Sequence, residues 1–194
     1  MSTLIFSDLH ASKKACKELE KILCHHDSAI CCGDIVGFGQ EPEYCIDFIS
    51  ANGIHTVKGN HEAMVLGESP IVNDKVIQKS IEWTKKKINR KHLEILERLP
   101  EHIEVDNFYI THTFIGRYIY GLQDLTPKIQ KSIDIINKPI IIIGHTHTQY
   151  CFNYKEKIIV NPSSITKGRK GEPRGYAIYN KSHFEFVSLF KEVV

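Results

Sequence analysis

A chain of 194 residues fits one domain, and a domain of that length buries roughly 70% of its unfolded surface without needing disulfides or a partner. Hydrophobic residues at 42% and charged residues at 25% exclude a disordered, collagen-like or coiled-coil chain. A formal net charge of +2 is too small to predict binding to nucleic acid or a membrane surface by electrostatics alone. No apolar run approaches the roughly 20 residues of a membrane span. The stretch from Met1 to Asp8 has no basic segment and reaches an acid too early for a signal peptide, so a cytoplasmic location is expected. Six cysteines (Cys16, Cys24, Cys31, Cys32, Cys45 and Cys151) form no CxxC pair and read as reduced thiols. Cys31 and Cys32 continue an apolar strand and read as small buried hydrophobes.

The elements alternate. Residues 3–7 form a short apolar strand. Residues 11–24 form a helix with Ala15, Leu19, Ile22 and Leu23 on one face. Residues 28–32 are the second strand, 42–51 a helix, and 54–58 the third strand. This βαβαβ start predicts a largely parallel sheet. A long helical stretch covers about residues 73–99 and stops at Pro100. Its basic part, Lys85–Lys87 with Arg90 and Lys91, reads as a solvated face. Strands follow at 103–105 and 108–111, a helix at 127–136, then strands at 140–143, 149–153, 158–160, 175–179 and 184–189. The expectation is one α/β domain over residues 1–194, with two packed sheets and helices outside.

The polar motifs fall at strand ends. Ser7-Asp8-Leu9-His10 follows the first strand, Gly33-Asp34 the second and Gly59-Asn60-His61-Glu62 the third. Later strands end in Thr111-His112 and Gly144-His145-Thr146-His147. Ligands gather at the carboxyl ends of strands in parallel sheets. Carboxylate and imidazole without thiolate suit Mn²⁺, Fe, Zn²⁺ or Ni²⁺. Asp8, His10, Asp34, Asn60, His112, His145 and His147 are too many for one ion. Two ions about 3.5–4 Å apart, sharing a carboxylate, would use them well. Gly33, Gly59 and Gly144 would let the chain turn sharply behind each ligand.

With these motifs the chain resembles calcineurin-like metallophosphoesterases, almost end to end. Gly33-Asp34-Ile35-Val36-Gly37-Phe38-Gly39, and Asn161-Pro162-Ser163-Ser164 followed by Gly171-Glu172-Pro173-Arg174, resemble the small bacterial and archaeal phosphodiesterase branch. The resemblance implies an αββα sandwich of two mixed sheets. It implies a first metal on Asp8, His10, Asp34 and His147, and a second on Asp34, Asn60, His112 and His145, with Asp34 bridging. His61 matches a histidine that contacts phosphate or acts as general acid. The chain departs from the family in having Ala11-Ser12 where many members carry Gly-Asn. It has no arginine in the loop after Asp34, and serine replaces glycine within Asn161-Pro162-Ser163-Ser164.

The expected function is hydrolysis of phosphodiesters, nucleotide-like ones among them, by a hydroxide bridging two divalent metals, manganese first. Asn60, His61, Phe38, Phe114 and Arg174 are the candidate substrate contacts. A phosphomonoesterase of the protein-phosphatase or dinucleotide-polyphosphate type is the alternative. A non-catalytic scaffold, the use of this fold in eukaryotic retromer, is the alternative of another class. The expected partner is a small-molecule or nucleotide phosphoester, not a membrane or nucleic acid, with homodimerisation left open. The basic loop 167–174 is flexible and solvated or reaches the edge of the site. His25, His26, His55, His92, His102 and His183 read as surface or edge residues.

Overall fold

The computed structural model describes residues 2–169 and 171–190; Lys170 of the basic loop lies outside the described residues. Two five-stranded mixed sheets carry the chain. The first contains β1 (Ser2–Phe6), β2 (Ser28–Cys31), β3 (His55–Thr56), β9 (Arg174–Asn180) and β10 (His183–Leu189), in the order β10-β9-β1-β2-β3. The second contains β4 (His102–Val105), β5 (Phe108–Thr111), β6 (Ile140–Ile143), β7 (Gln149–Tyr154) and β8 (Lys157–Pro162), in the order β4-β5-β6-β8-β7. β1, β2 and β3 are mutually parallel, and so are β5, β6 and β8. The outer strands β10, β9, β4 and β7 pair antiparallel.

Side-chain alternation builds three apolar layers. Ile5, Ile30 and Cys32 of the first sheet meet Phe108, Ile110, Ile140, Ile142 and Val160 of the second. Leu4, Phe6, Ala29 and Cys31 point the other way, against the helices α1 (Lys13–Leu23) and α2 (Pro42–Ala51). Ile141 and Ile143 face α6 (Pro127–Asp134) through Ile129 and Ile133. The four isoleucines of β6 are therefore buried on both faces, as a central parallel strand requires. The result is the αββα sandwich.

Three local readings change. The stretch 73–99 divides into α4 (Lys75–Lys87) and α5 (Arg90–Glu97). Ile88 is extended at ψ 145, and the Asn89 side chain restarts the helix by accepting the His92 N–H at 3.2 Å. His92 is thus a buried capping residue rather than a surface one, with Nδ1 accepting the Asn89 N–H. The third strand shrinks to His55–Thr56, because Gly59-Asn60-His61-Glu62 opens a short helix, α3 (Asn60–Leu66). Helix α1 starts two residues late, behind Ser12, whose side chain accepts the Ala15 N–H. No helix among the described residues is long and apolar enough to cross a membrane, and all six cysteines are free thiols.

Candidate metal centre

The seven candidate ligands come from the carboxyl ends of five strands, three in one sheet and two in the other. Asp8 and His10 follow β1, Asp34 follows β2, and Asn60 opens α3 just after β3. His112 follows β5, and His145 and His147 follow β6. The structure brings them together in overlapping groups. The ligand atoms of Asp8, His10 and His147 lie within 4.8 Å of one another, and so do those of Asp34, His112 and His145. His10, Asp34 and His61 form a third such group between them.

The protons show what the groups are built to hold. His112 Nδ1 donates to the Cys32 carbonyl at 2.7 Å, which directs its Nε2 at Asn60 Oδ1, 3.0 Å away, and Asp34 Oδ2, 3.4 Å away. His10 Nδ1 faces the Val36 carbonyl at 3.3 Å, and His147 Nδ1 faces the Lys167 carbonyl at 3.1 Å. Their Nε2 atoms then face each other at 3.1 Å, with Asp8 Oδ1 at 3.0 Å from His147 Nε2. Asp8 Oδ1 is buried and has no hydrogen-bond donor. Buried imidazole nitrogens and carboxylate oxygens packed this closely repel unless protons or a cation lie between them. The donor set is oxygen and imidazole nitrogen, which fits divalent metals of the borderline class.

The electrostatics agree. Burial opposes charge on Asp8 and Asp34, but neighbouring histidines overcome it. His147 holds Asp8, and His112 and His61 hold Asp34, below the ordinary carboxylate range. Burial also opposes charge on His112, yet Asp34 and Asp8 pull it up to about 10. His10 is pushed down to about 3 by burial and by His61. His145 is pushed down to about 4 by burial and by His112. In the metal-free chain one proton on His112 partly neutralises the carboxylates, in the place where a cation would sit.

Holding this geometry strains the backbone. Asp8, His10, Asp34, His145 and His147 all have positive φ, between 46° and 68°. Each such non-glycine residue costs on the order of 1 kcal/mol, which surrounding bonds must offset. Glu62, fully buried, supplies much of that. Its Oε2 accepts the N–H groups of Asp34 and Gly59, at 2.9 and 2.8 Å, and its Oε1 accepts that of Val36 at 2.9 Å. Burial and then Asp34 push its pKa up to about 7, against the pull of those donors. Asn161 ties the other side, donating from Nδ2 to the Gly144 carbonyl at 2.6 Å and to Thr146 Oγ1 at 2.9 Å. Ser164 and Thr166 donate to the Asp8 carbonyl at 2.9 and 3.1 Å. So Asn161-Pro162-Ser163-Ser164 locks the Asp8 and His145–His147 loops together. Sequence reading gave no role to Glu62 or Asn161; the signal for Glu62 was a carboxylate at the third position of a helix opened by glycine.

The glycines act in two ways. Gly33 turns the chain at φ +90°, as expected. Gly59 and Gly144 instead permit close approach: a Cβ would run into Asp34 Oδ1 at one and Ser7 Oγ at the other.

The other predicted residues divide. His61 is buried beside the candidate ligands, its N–H donating to Asp34 Oδ1 at 2.9 Å and its Nδ1 unpaired. Phe38 packs its ring against His10 at 4.8 Å and His61 at 4.9 Å and lines the cavity over the centre. Phe114 does not line that cavity; it is buried in the layer under α6, stacked on Tyr109. Arg174 does not line it either: its guanidinium is buried, donating to Glu18 Oε2 at 2.8 Å and to the Ile165 carbonyl at 2.9 Å. Within the basic loop, Lys167, Gly168 and Arg169 do reach the cavity wall.

Residues 1–183 match the profile of the calcineurin-like phosphoesterase superfamily domain. The chain belongs to this superfamily. It is 26% identical over 209 aligned residues to the uncharacterised protein MJ0912 of Methanocaldococcus jannaschii, covering 93% of this chain and 83% of that protein. A metallophosphoesterase of Sphaerobacter thermophilus superposes with a TM-score of 0.74 at 24% identity, over 97% of this chain and 89% of the other. The E. coli phosphoesterase Yfce superposes at 0.60 with 16% identity, over 97% and 93%. At those identities the two structures establish the shared fold. Membership and the paired ligand groups together make the chain a metal-dependent phosphoesterase.

Proposed function

We propose that the chain hydrolyses phosphodiesters as a single catalytic domain, with Asp34 shared between two divalent ions. Asp8, His10, Asp34 and His147 would hold one ion; Asp34, Asn60, His112 and His145 would hold the other, manganese being the first choice. The observation that supports this most is the convergence of imidazole nitrogens and carboxylate oxygens at His112 and at His10–His147, with Asp34 reached from both. When bound, such ions supply Lewis-acid charge to phosphoryl oxygens and lower the pKa of water near them.

The residues of the chain do the rest. The Glu62 clamp fixes the Asp34 carboxylate by its own backbone, so the shared ligand does not swing. Asn60 is neutral, which leaves the centre more positive than an all-carboxylate one and favours an anionic ester. His61 hangs from Asp34 through its N–H, and Phe38 packs against its ring. It faces the cavity and stands ready to stabilise charge on the phosphoryl oxygens and to give a proton to the leaving oxygen. The test is His61→Ala in protein reloaded with Mn²⁺, assayed on bis-p-nitrophenyl phosphate. Metal content should hold while kcat falls at least about 100-fold; an unchanged kcat removes His61 from the reaction.

A further inference from the structure

The cavity above the ligands is far larger than a phosphoryl group needs, and its walls differ. Its volume is about 910 Å³, toward the upper end for sites that enclose a whole small molecule. The floor is polar, formed by His10, Asp34, Asn60, His61, His145 and His147. One wall is basic and aromatic. Tyr118 stacks on His145 with ring centroids 4.3 Å apart, and the Arg169 guanidinium lies 4.5 Å over the Tyr118 ring. The facing lining is apolar: Met64, Pro70, Val72, Val76 and Ile77, from α3, the following loop and the first turn of α4.

Two of these apolar residues are not explained by core packing. Val72 is 48% exposed and Val76 is 65% exposed. Val76 stands in the turn capped by Asp74, where a polar residue would serve the helix better. Exposed apolar side chains gathered beside a polar centre gain only when something apolar covers them.

Resting on the phosphoesterase reading above, we infer that the substrate carries a bulky apolar arm on its phosphoryl group, and that Val72, Val76 and Ile77 select it. The ligand groups and Arg169 hold the anionic end. The arm then lies across the Met64–Ile77 wall. The chemistry is shared by a long aliphatic chain and a flat aromatic group such as a nucleobase, and the wall is permissive to both shapes.

The experiment uses non-hydrolysable phosphonates as competitive inhibitors of bis-p-nitrophenyl phosphate turnover by the Mn²⁺-loaded protein. The series runs from methyl- through butyl- to octylphosphonate, with phenylphosphonate and a nucleoside 5′-phosphonate as aromatic members. Each buried methylene should tighten Ki by up to about fourfold, so octylphosphonate should bind at least about 30 times tighter than methylphosphonate. In Val72→Asn/Val76→Asn, whose sites are exposed and tolerate polar residues, the series should flatten to within about threefold, since the methylenes lose their apolar cover. A stronger response to the aromatic members than to the alkyl chain identifies a nucleobase-like arm; the reverse identifies an aliphatic one. A flat series in the native protein, or a steep one kept in the double variant, overturns the inference. If no divalent metal supports turnover at all, the phosphoesterase reading has failed instead, and that outcome is read before any inhibitor is added.

Discussion

Replacing Glu62 by glutamine tests whether a buried carboxylate holds the centre in shape. In the native chain Oε2 accepts two N–H groups, from Asp34 and Gly59, and Oε1 accepts one from Val36. Glutamine keeps one acceptor. With its oxygen in the Oε2 position, its amide faces the Val36 N–H, so a buried donor loses its partner. That costs about 1–3 kcal/mol. For a chain of this length the melting temperature should fall by roughly 2–4 °C per kcal/mol, hence by roughly 2–12 °C. Glu62→Ala strips all three donors and should cost more than 3 kcal/mol, on the order of 10 °C or beyond. Calorimetry on metal-stripped protein reads the loss without ligand linkage. The same variants should bind Mn²⁺ more weakly, because Asp34 no longer has a fixed backbone. An alanine variant that melts within about 1 °C of native would refute the clamp.

Three further outcomes follow from the geometry. The metal-stripped protein should be most stable near pH 6.5. Below that, His10 and His145, held near 3 and 4 when folded against 6.5 when unfolded, let the unfolded chain bind more protons and stability falls with falling pH. Above it, His112, near 10 when folded, keeps a proton the unfolded chain releases, so stability falls with rising pH; Glu62 acts the same way between about 4.5 and 7. Thermal melts in chelator across this range check it, and a melting temperature still rising through pH 9 contradicts it. Arg174→Gln should lower the melting temperature by several degrees while kcat/KM stays native, because its partners are Glu18 and the Ile165 carbonyl. Asn161→Ala should lower both metal affinity and turnover by freeing the His145–His147 turn; native affinity would show that the turn holds without it.

Much of the layout was readable because it rests on period and position. The alternation of strands and helices, and the isoleucine tetrad of β6, needed nothing beyond local pattern. All seven candidate ligands stood at strand ends, where a parallel sheet gathers side chains. What escaped reading depends on contacts across the fold. The break at Ile88 comes from a cap formed between Asn89 and His92, inside an otherwise continuous helical pattern. The role of Glu62 appears only when the loops after β2 and β3 lie side by side. Asn161 and Ser164 act on residues far away in sequence, Gly144 and Asp8. As the last residue of the basic loop 167–174, Arg174 reads as a substrate contact, but β9 carries its side chain to the α1 side of the sheet. The apolar wall is legible only in three dimensions, since Val72 and Val76 belong to no motif.

The central claim is a pair of divalent ions sharing Asp34. The direct measurement strips the protein of metal, reloads it with Mn²⁺, and counts bound ions alongside hydrolysis of bis-p-nitrophenyl phosphate, in native protein and in Asp34→Ala. The account predicts two ions per native chain, turnover that appears only with them, and loss of both ions and turnover in the variant. Turnover by the stripped protein, or an Asp34→Ala chain that still holds two ions, would contradict it.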